Sequence, residues 1–240
     1  MKKIFVVANW KLNPIAEKKA GVLFSTIQES VREEIEDLGE VEVVICPPFP
    51  YLPVLRKEQE HEPEEQRIEL GSQDCFWEEK GAFTGEVSPL MLRDMGCRYV
   101  IIGHSERRKY FSETDEMVNK KIKAALKHGL RPIVCIDKLG QAGAALQELG
   151  EEQKKKVIVA YEPLWAIGSG EPCSYEQAKE FNLSLKEAIG SDHPTLYGGS
   201  VNAENAVGFI SESQFQGLLI GGASLKPDEF FEIIRLVRER

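Results

Sequence analysis

Cysteine is scarce in this 240-residue chain and does not pair off. Cys46, Cys75, Cys97, Cys135 and Cys173 are odd in number, widely spaced and free of any CxxC. Scattered buried thiols in a reducing cytoplasm account for them best, and the spacing argues against a zinc site. Positive charge is in deficit: 30 Lys plus Arg face 39 Asp plus Glu, for a net charge of −9. A surface that acidic argues against nonspecific nucleic-acid or anionic-membrane binding, although it leaves room for a small anion in a locally positive pocket. Long apolar runs are missing too. Ile4-Phe5-Val6-Val7-Ala8 stops at Asn9-Trp10-Lys11, short of a secretory core, and the uncharged stretch 43–55 carries Pro47, Pro48, Pro50 and Pro53, which no spanning helix tolerates. The chain reads as soluble and cytoplasmic, with no nucleic acid or membrane as partner.

Hydrophobic residues make up 42% and charged residues 29%, enough apolar content for a substantial core. Eight short runs are apolar on both faces: Ile4–Ala8, Val41–Cys46, Ile68–Gly71, Tyr99–Ile102, Pro132–Ile136, Val157–Ala160, Thr195–Tyr197 and Leu218–Ile220. Apolar character on both faces predicts parallel strands covered by helices. Between them lie helical signals. Ser112-Glu113-Thr114-Asp115 opens a run with Val118, Ile122, Ala125 and Leu126 on one side and Gly129 as its stop. Ser174 suits an N-cap before Tyr175 to Ile189, and Lys226-Pro227-Asp228 begins a last helix. Eight units in 240 residues is 240/8, about 30 residues each, which fits a (β/α)8 TIM barrel spanning residues 1–240 as a single domain. A doubly wound open sheet competes, but it would typically use fewer strands, and no GxGxxG follows the first strand here.

Four polar clusters fall where strands end, and a parallel barrel builds its active site there. Asn9-Trp10-Lys11 offers a cation with an amide to orient it; most such lysines are simply exposed. Gly103-His104-Ser105-Glu106-Arg107-Arg108 places a histidine directly after a strand, or else is a solvated turn. Ala160 to Gly170 carries Glu162 at a strand end, then Leu164, Trp165 and Ile167 in a loop, where a lid over a pocket or core packing of the tryptophan would each use the apolar area. Gly198-Gly199-Ser200 and Gly221-Gly222 follow strands seven and eight. Paired glycines let backbone N–H groups approach an anion, so two such pairs at adjacent strand ends suggest a phosphate site, although one pair often marks only a tight turn.

Taken together, Ala8 to Asn13, Gly103 to Arg108, Ala160 to Gly170, Tyr197 to Val201 and Gly221 to Leu225 resemble triosephosphate isomerase, in order and from first strand to last. The resemblance implies an intramolecular aldose–ketose isomerase of glycolysis and gluconeogenesis that interconverts dihydroxyacetone phosphate and glyceraldehyde 3-phosphate through an enediolate. It implies Glu162 as the base, made more basic as a lid strips water from it, and His104 as a neutral proton shuttle. Lys11 would stabilise negative charge with Asn9 assisting, and Glu106 would face Lys11. Gly168, Ser200, Gly221 and Gly222 match the family's phosphate-gripping positions. No metal or organic cofactor is implied. The stretch Gly71 to Glu86 resembles a loop that enters a neighbouring subunit, so a homodimer with Phe83 and Thr84 as contacts is expected. The chain departs from the family at Asp137-Lys138, where Gly-Glu is usual, in a trimmed segment after it, in a longer connection around residues 58–67, and at Glu171-Pro172-Cys173 beyond the lid. Another phosphate-binding barrel enzyme and an inactive barrel stay open as alternatives.

Overall fold

The computed structural model describes residues 3–59, 63–167, 170–190 and 193–240. Eight strands form: β1 (Ile4–Asn9), β2 (Val41–Cys46), β3 (Glu69–Ser72), β4 (Tyr99–Ile102), β5 (Arg131–Ile136), β6 (Ile158–Tyr161), β7 (Thr195–Tyr197) and β8 (Gly217–Ile220). Each pairs in parallel with the next, and β8 returns to β1 to close a barrel. The β1–β2 register runs from Ile4 opposite Val41 to Asn9 opposite Cys46, so the two strands end together at the top. The expected (β/α)8 barrel is the fold observed. β-Branched residues suit these strands because both faces are buried, one toward the barrel axis and one toward helices.

Alternation along the strands separates two cores. Phe5, Val7, Val44, Cys46, Tyr99, Ile101, Ile133, Cys135, Ile158, Ala160, Leu196 and Leu219 form a cluster of strand residues alone, which fills the barrel interior. β3 adds nothing to it. A Cβ on Gly71 would lie 2.6 Å from Cys46 Sγ and 3.2 Å from Tyr99 Cβ, so the neighbouring strands already occupy that space. The opposite strand faces, among them Val6, Val43, Ile45 and Leu218, pack against helices.

The helices described are α1 (Glu17–Glu34), α2 (Leu52–Gln59), α3 (Pro89–Asp94), α4 (Ser105–Phe111), α5 (Asp115–Lys127), α6 (Leu139–Ala145), α7 (Glu151–Lys154), α8 (Tyr175–Ile189), α9 (Ala206–Ser211) and α10 (Pro227–Glu239). Ser174 caps α8 through the Gln177 N–H at 3.2 Å, and Gly190 ends it at φ +97°. Thr114, within the stretch expected to open it, caps α5 by accepting the Met117 N–H at 3.2 Å. Ser112 instead ends α4 in a left-handed conformation. α10 buries Phe230, Phe231, Ile233, Ile234 and Val237, a stripe wide enough to dock the helix on the barrel. The segment after Cys135, expected to be short, forms two short helices beyond β5, α6 and α7. Among the described residues, no helix is long and apolar enough to cross a membrane.

Candidate active site

β1 delivers Asn9 and Lys11 to the top of the barrel. Asn9 Oδ1 accepts the Lys11 N–H at 3.0 Å, and Lys11 sits at φ +53°, a conformation that disfavours a side chain. Gln73, just past β3, donates Nε2 to the carbonyls of Lys11 and Cys46, both at 2.9 Å. These bonds offset the backbone strain, which costs of the order of 1 kcal/mol or more. Lys11 Nζ meets Glu106 Oε1 at 2.7 Å.

His104 is the N-cap of α4, and its Nδ1 accepts the Glu106 N–H at 3.2 Å. That role leaves Nε2 as the place for the proton of a neutral imidazole. Glu162 follows β6, with its N–H donating to the Ile136 carbonyl at 2.8 Å. The side chain is 2% exposed. One carboxylate oxygen lies 2.9 Å from His104 Nε2 and the other accepts the Ser105 N–H at 3.0 Å.

Two opposed effects set the acidity of this pair. Burial pushes Glu162 up, but His104, the Ser105 N–H and Lys11 outweigh it and hold the carboxyl below its ordinary value. Burial lowers His104, yet Glu162 and then Glu106 outweigh it and lift the imidazole above its ordinary value. The strongly basic carboxylate expected from the sequence is therefore not present in this pose. Moving Glu162 off His104 removes the partner that lowers the one and raises the other. Burial then weighs more heavily, toward a basic carboxylate and a neutral histidine, against Lys11 on the one and Glu106 on the other.

Asn9, Lys11, His104 and Glu162 converge on a cavity of about 390 Å³, whose wall also includes Ser200, Gly221 and Gly222. Ser200 sits at φ +48° and donates its hydroxyl to the Ala166 carbonyl. Gly221 and Gly222 lead into a 3-10 turn at Gly222–Leu225. Gly168 lies outside the described residues. In the other glycine pair Gly198 lines the cavity, whereas a Cβ on Gly199 would lie 2.8 Å from Tyr197 Oη and 3.0 Å from Pro163 Cγ, so Gly199 lets β7 pack against the loop after Glu162. In that loop Leu164 and Trp165 are 57% and 58% exposed, which rules out core packing of the tryptophan. The Cys173 N–H donates to Tyr197 Oη at 2.9 Å and ties the far end of the loop to β7.

A family model for triosephosphate isomerase matches residues 4–237. The chain belongs to that family. A triosephosphate isomerase of Dictyoglomus thermophilum is 40% identical over 257 residues, covering 98% of this chain and all of the relative. Those of Thermoanaerobacter pseudethanolicus and Dehalococcoides mccartyi are each 40% identical, over 256 and 254 residues, with 98% of this chain covered and 99% and 96% of the relatives. As a triosephosphate isomerase family member, this chain is an isomerase.

Of the residues singled out from sequence, Asn9, Lys11, His104, Glu162, Ser200, Gly221 and Gly222 share the cavity, and Glu106 stands beside it through Lys11. Sequence reasoning missed Gln73 as the residue holding the Lys11 backbone and Lys226 as a second cation on the wall. The signal for Gln73 was an amide one residue beyond a strand end. Lys226 is 2.9 Å from Glu229 and carried no signal beyond its place ahead of Pro227.

Proposed function

We propose that this member of the triosephosphate isomerase family interconverts dihydroxyacetone phosphate and D-glyceraldehyde 3-phosphate with the residues that meet in the 390 Å³ cavity. Glu162 takes a proton from the carbon beside the substrate carbonyl, and the electron pair left behind moves to the carbonyl oxygen as an enediolate forms. The same carboxyl then returns the proton to the adjacent carbon. His104, neutral and with its proton on Nε2, donates to the substrate oxygens and moves a proton between them. Its Nδ1 bond to the Glu106 N–H supports that tautomer. Lys11 stabilises the developing negative charge with Asn9 beside it, and Glu106 holds Lys11 in place. Ser200, Gly221 and Gly222, with Gly168, grip the phosphate, and the loop after Glu162 closes over the enediolate to keep water out. No metal or organic cofactor takes part.

The observation that carries this reading is the pairing of His104 and Glu162 at 2.9 Å in one cavity. Substrate must displace Glu162 from His104, so the two groups end on either side of the reacting carbons. A coupled assay of glyceraldehyde 3-phosphate consumption tests it, with a phosphoglycolate-type inhibitor as control. Absence of turnover by well-folded protein overturns it.

We further infer one domain over residues 1–240, acting in the cytoplasm as a homodimer. Leu12 and Ile15, beside Lys11, are each 88% exposed, and Phe83 is 43% exposed with Thr84 next to it. That apolar area is wasted on a monomer surface, and a second copy would cover it. Sedimentation at micromolar concentration showing only monomer would sink the dimer.

A further inference from the structure

We propose that Asn205, at the entry to α9, is a positioning residue for the phosphate end of the catalytic cavity. Its amide draws the Ser200 carbonyl away from the bound anion and holds the Ser200 backbone in the shape that offers N–H groups instead. The proposal rests on the isomerase reading for the identity of that anion, and it adds what shapes the grip.

Ser200 lines the cavity in a left-handed conformation, which costs a residue with a Cβ of the order of 1 kcal/mol or more. Two tethers hold it there. Its hydroxyl donates to the Ala166 carbonyl, and its own carbonyl accepts Asn205 Nδ2 at 3.0 Å. Ser200, Val201 and Asn202 belong to the cavity wall, whereas Asn205 does not and is only 8% exposed. The Ser200 carbonyl is therefore bound to a buried amide outside the wall. A trans peptide sets its C=O and N–H on opposite sides, so the Val201 N–H faces away from Asn205. Among the described residues, neither the Ser200 nor the Val201 N–H has an acceptor. Successive free N–H groups around a left-handed residue form a concavity suited to an anion, and a carbonyl in the same place would repel it.

Both ends of the Asn205 amide are used. Its Oδ1 accepts the Asn202 N–H at 3.0 Å, while Asn202 Oδ1 accepts the Asn205 N–H at the same distance. The Asn202 N–H can only donate, so it fixes which end of the amide faces it and leaves Nδ2 for Ser200. Tyr175 Oη, donating to the Asn205 carbonyl at 3.4 Å, adds a third anchor from α8. The start of α9 is served by the asparagine pair and by the Ala206 N–H, which donates to the Asn202 carbonyl at 3.1 Å. The bond to Ser200 adds nothing to that helix. Its effect falls on the cavity wall.

The test compares a substrate that carries phosphate with one that does not, because a damaged grip penalises only the first. Asn205→Ala removes both side-chain bonds. Asn205→Ser keeps a residue type common at helix starts, but its hydroxyl is one bond shorter than the amide and leaves the Ser200 carbonyl unmet. For both variants, kcat/KM for D-glyceraldehyde 3-phosphate and the calorimetric affinity for phosphoglycolate are expected to fall at least about tenfold per folded chain. Turnover of D-glyceraldehyde, followed by NMR, should stay within about twofold of the unmodified protein. Equal losses for the two substrates would make Asn205 a general support of the fold, and an unaltered phosphate substrate would show that the grip does not need it. Either result overturns the proposal. Should the unmodified chain turn over neither substrate, the isomerase reading fails, and the phosphoglycolate titration alone decides the role of Asn205: weaker binding by the variants supports it, whereas equal binding or none by the unmodified chain overturns it.

Discussion

Two clusters of charge meet α4, and they are built alike yet behave differently. The first joins Lys11, Glu106, His104 and Glu162. The second joins Asp74, Arg107, Glu113 and Lys121: Lys121 Nζ reaches the two Asp74 oxygens at 2.7 and 2.9 Å and also bonds Glu113, while Arg107 Nη2 meets Asp74 at 2.9 Å. Lys121, Asp74 and Glu113 are all nearly inaccessible, and none of the second cluster lines the catalytic cavity. In the first cluster every charge but Glu106 faces open space that a substrate can enter. The lesson is that pairing alone does not mark a reactive site. A cluster becomes chemical when a guest can take the place of one partner; without such access it is a clamp, here tying the root of the loop after β3 to α4 and α5.

Their acidities move oppositely. Burial outweighs Lys121 and pushes Asp74 up to about 6, whereas His104 and its neighbours hold Glu162 below its ordinary value despite burial. A carboxyl raised on folding costs stability once it ionises, so the Asp74 contribution worsens as pH rises from about 4 to about 6. A carboxyl lowered on folding does the reverse. Glu162 contributes stability above its unfolded pKa and loses it as pH falls through the lower folded value.

The contrast can be broken by substitution. Glu162→Gln should give the largest effect, a fall in kcat of about 10³–10⁴-fold with only a small drop in the urea midpoint at neutral pH, because it removes a base and its stabilising charge contacts but keeps the shape. A variant that unfolds instead would put Glu162 with the clamp. Lys121→Met should cost about 3–5 kcal/mol in urea unfolding, since it strands two buried carboxylates, while kcat per folded chain stays near its original value. Loss of turnover in the folded fraction would erase the distinction. Asp74→Asn should flatten the dependence of the urea midpoint on pH between about 4 and 6; an unaltered slope would show that another group titrates there. The smallest change is expected from Tyr197→Phe, which removes the acceptor of the Cys173 N–H. One neutral hydrogen bond is worth about 0.5–1.5 kcal/mol, so kcat/KM should fall by no more than about tenfold.

Much of this architecture was readable in the residues. The eight strands lie within a residue of their expected bounds because each is a run buried on both faces, where the apolar signal is continuous. Ser174 and Gly190 delimit α8 as expected, since cap and stop are local chemistry. The site was legible through strand ends: Asn9, His104 and Glu162 each stand at or just past one. Their mutual contacts were not, because His104 and Glu162 are 58 positions apart and only barrel closure joins them. The clamp was invisible for the same reason, Asp74 and Lys121 being 47 apart with no strand-end signal at Lys121.

The blank that β3 leaves in the barrel interior has an evolutionary corollary. Cys46, Tyr99 and Val44 fill the volume that a side chain on Gly71 would claim, so enlarging position 71 by a single methyl drives it into all three. Change there is tolerated only when a neighbour shrinks in compensation, such as Cys46→Ala. The four positions therefore behave as one heritable unit, and a library that varies them singly will discard combinations that a joint exchange would keep.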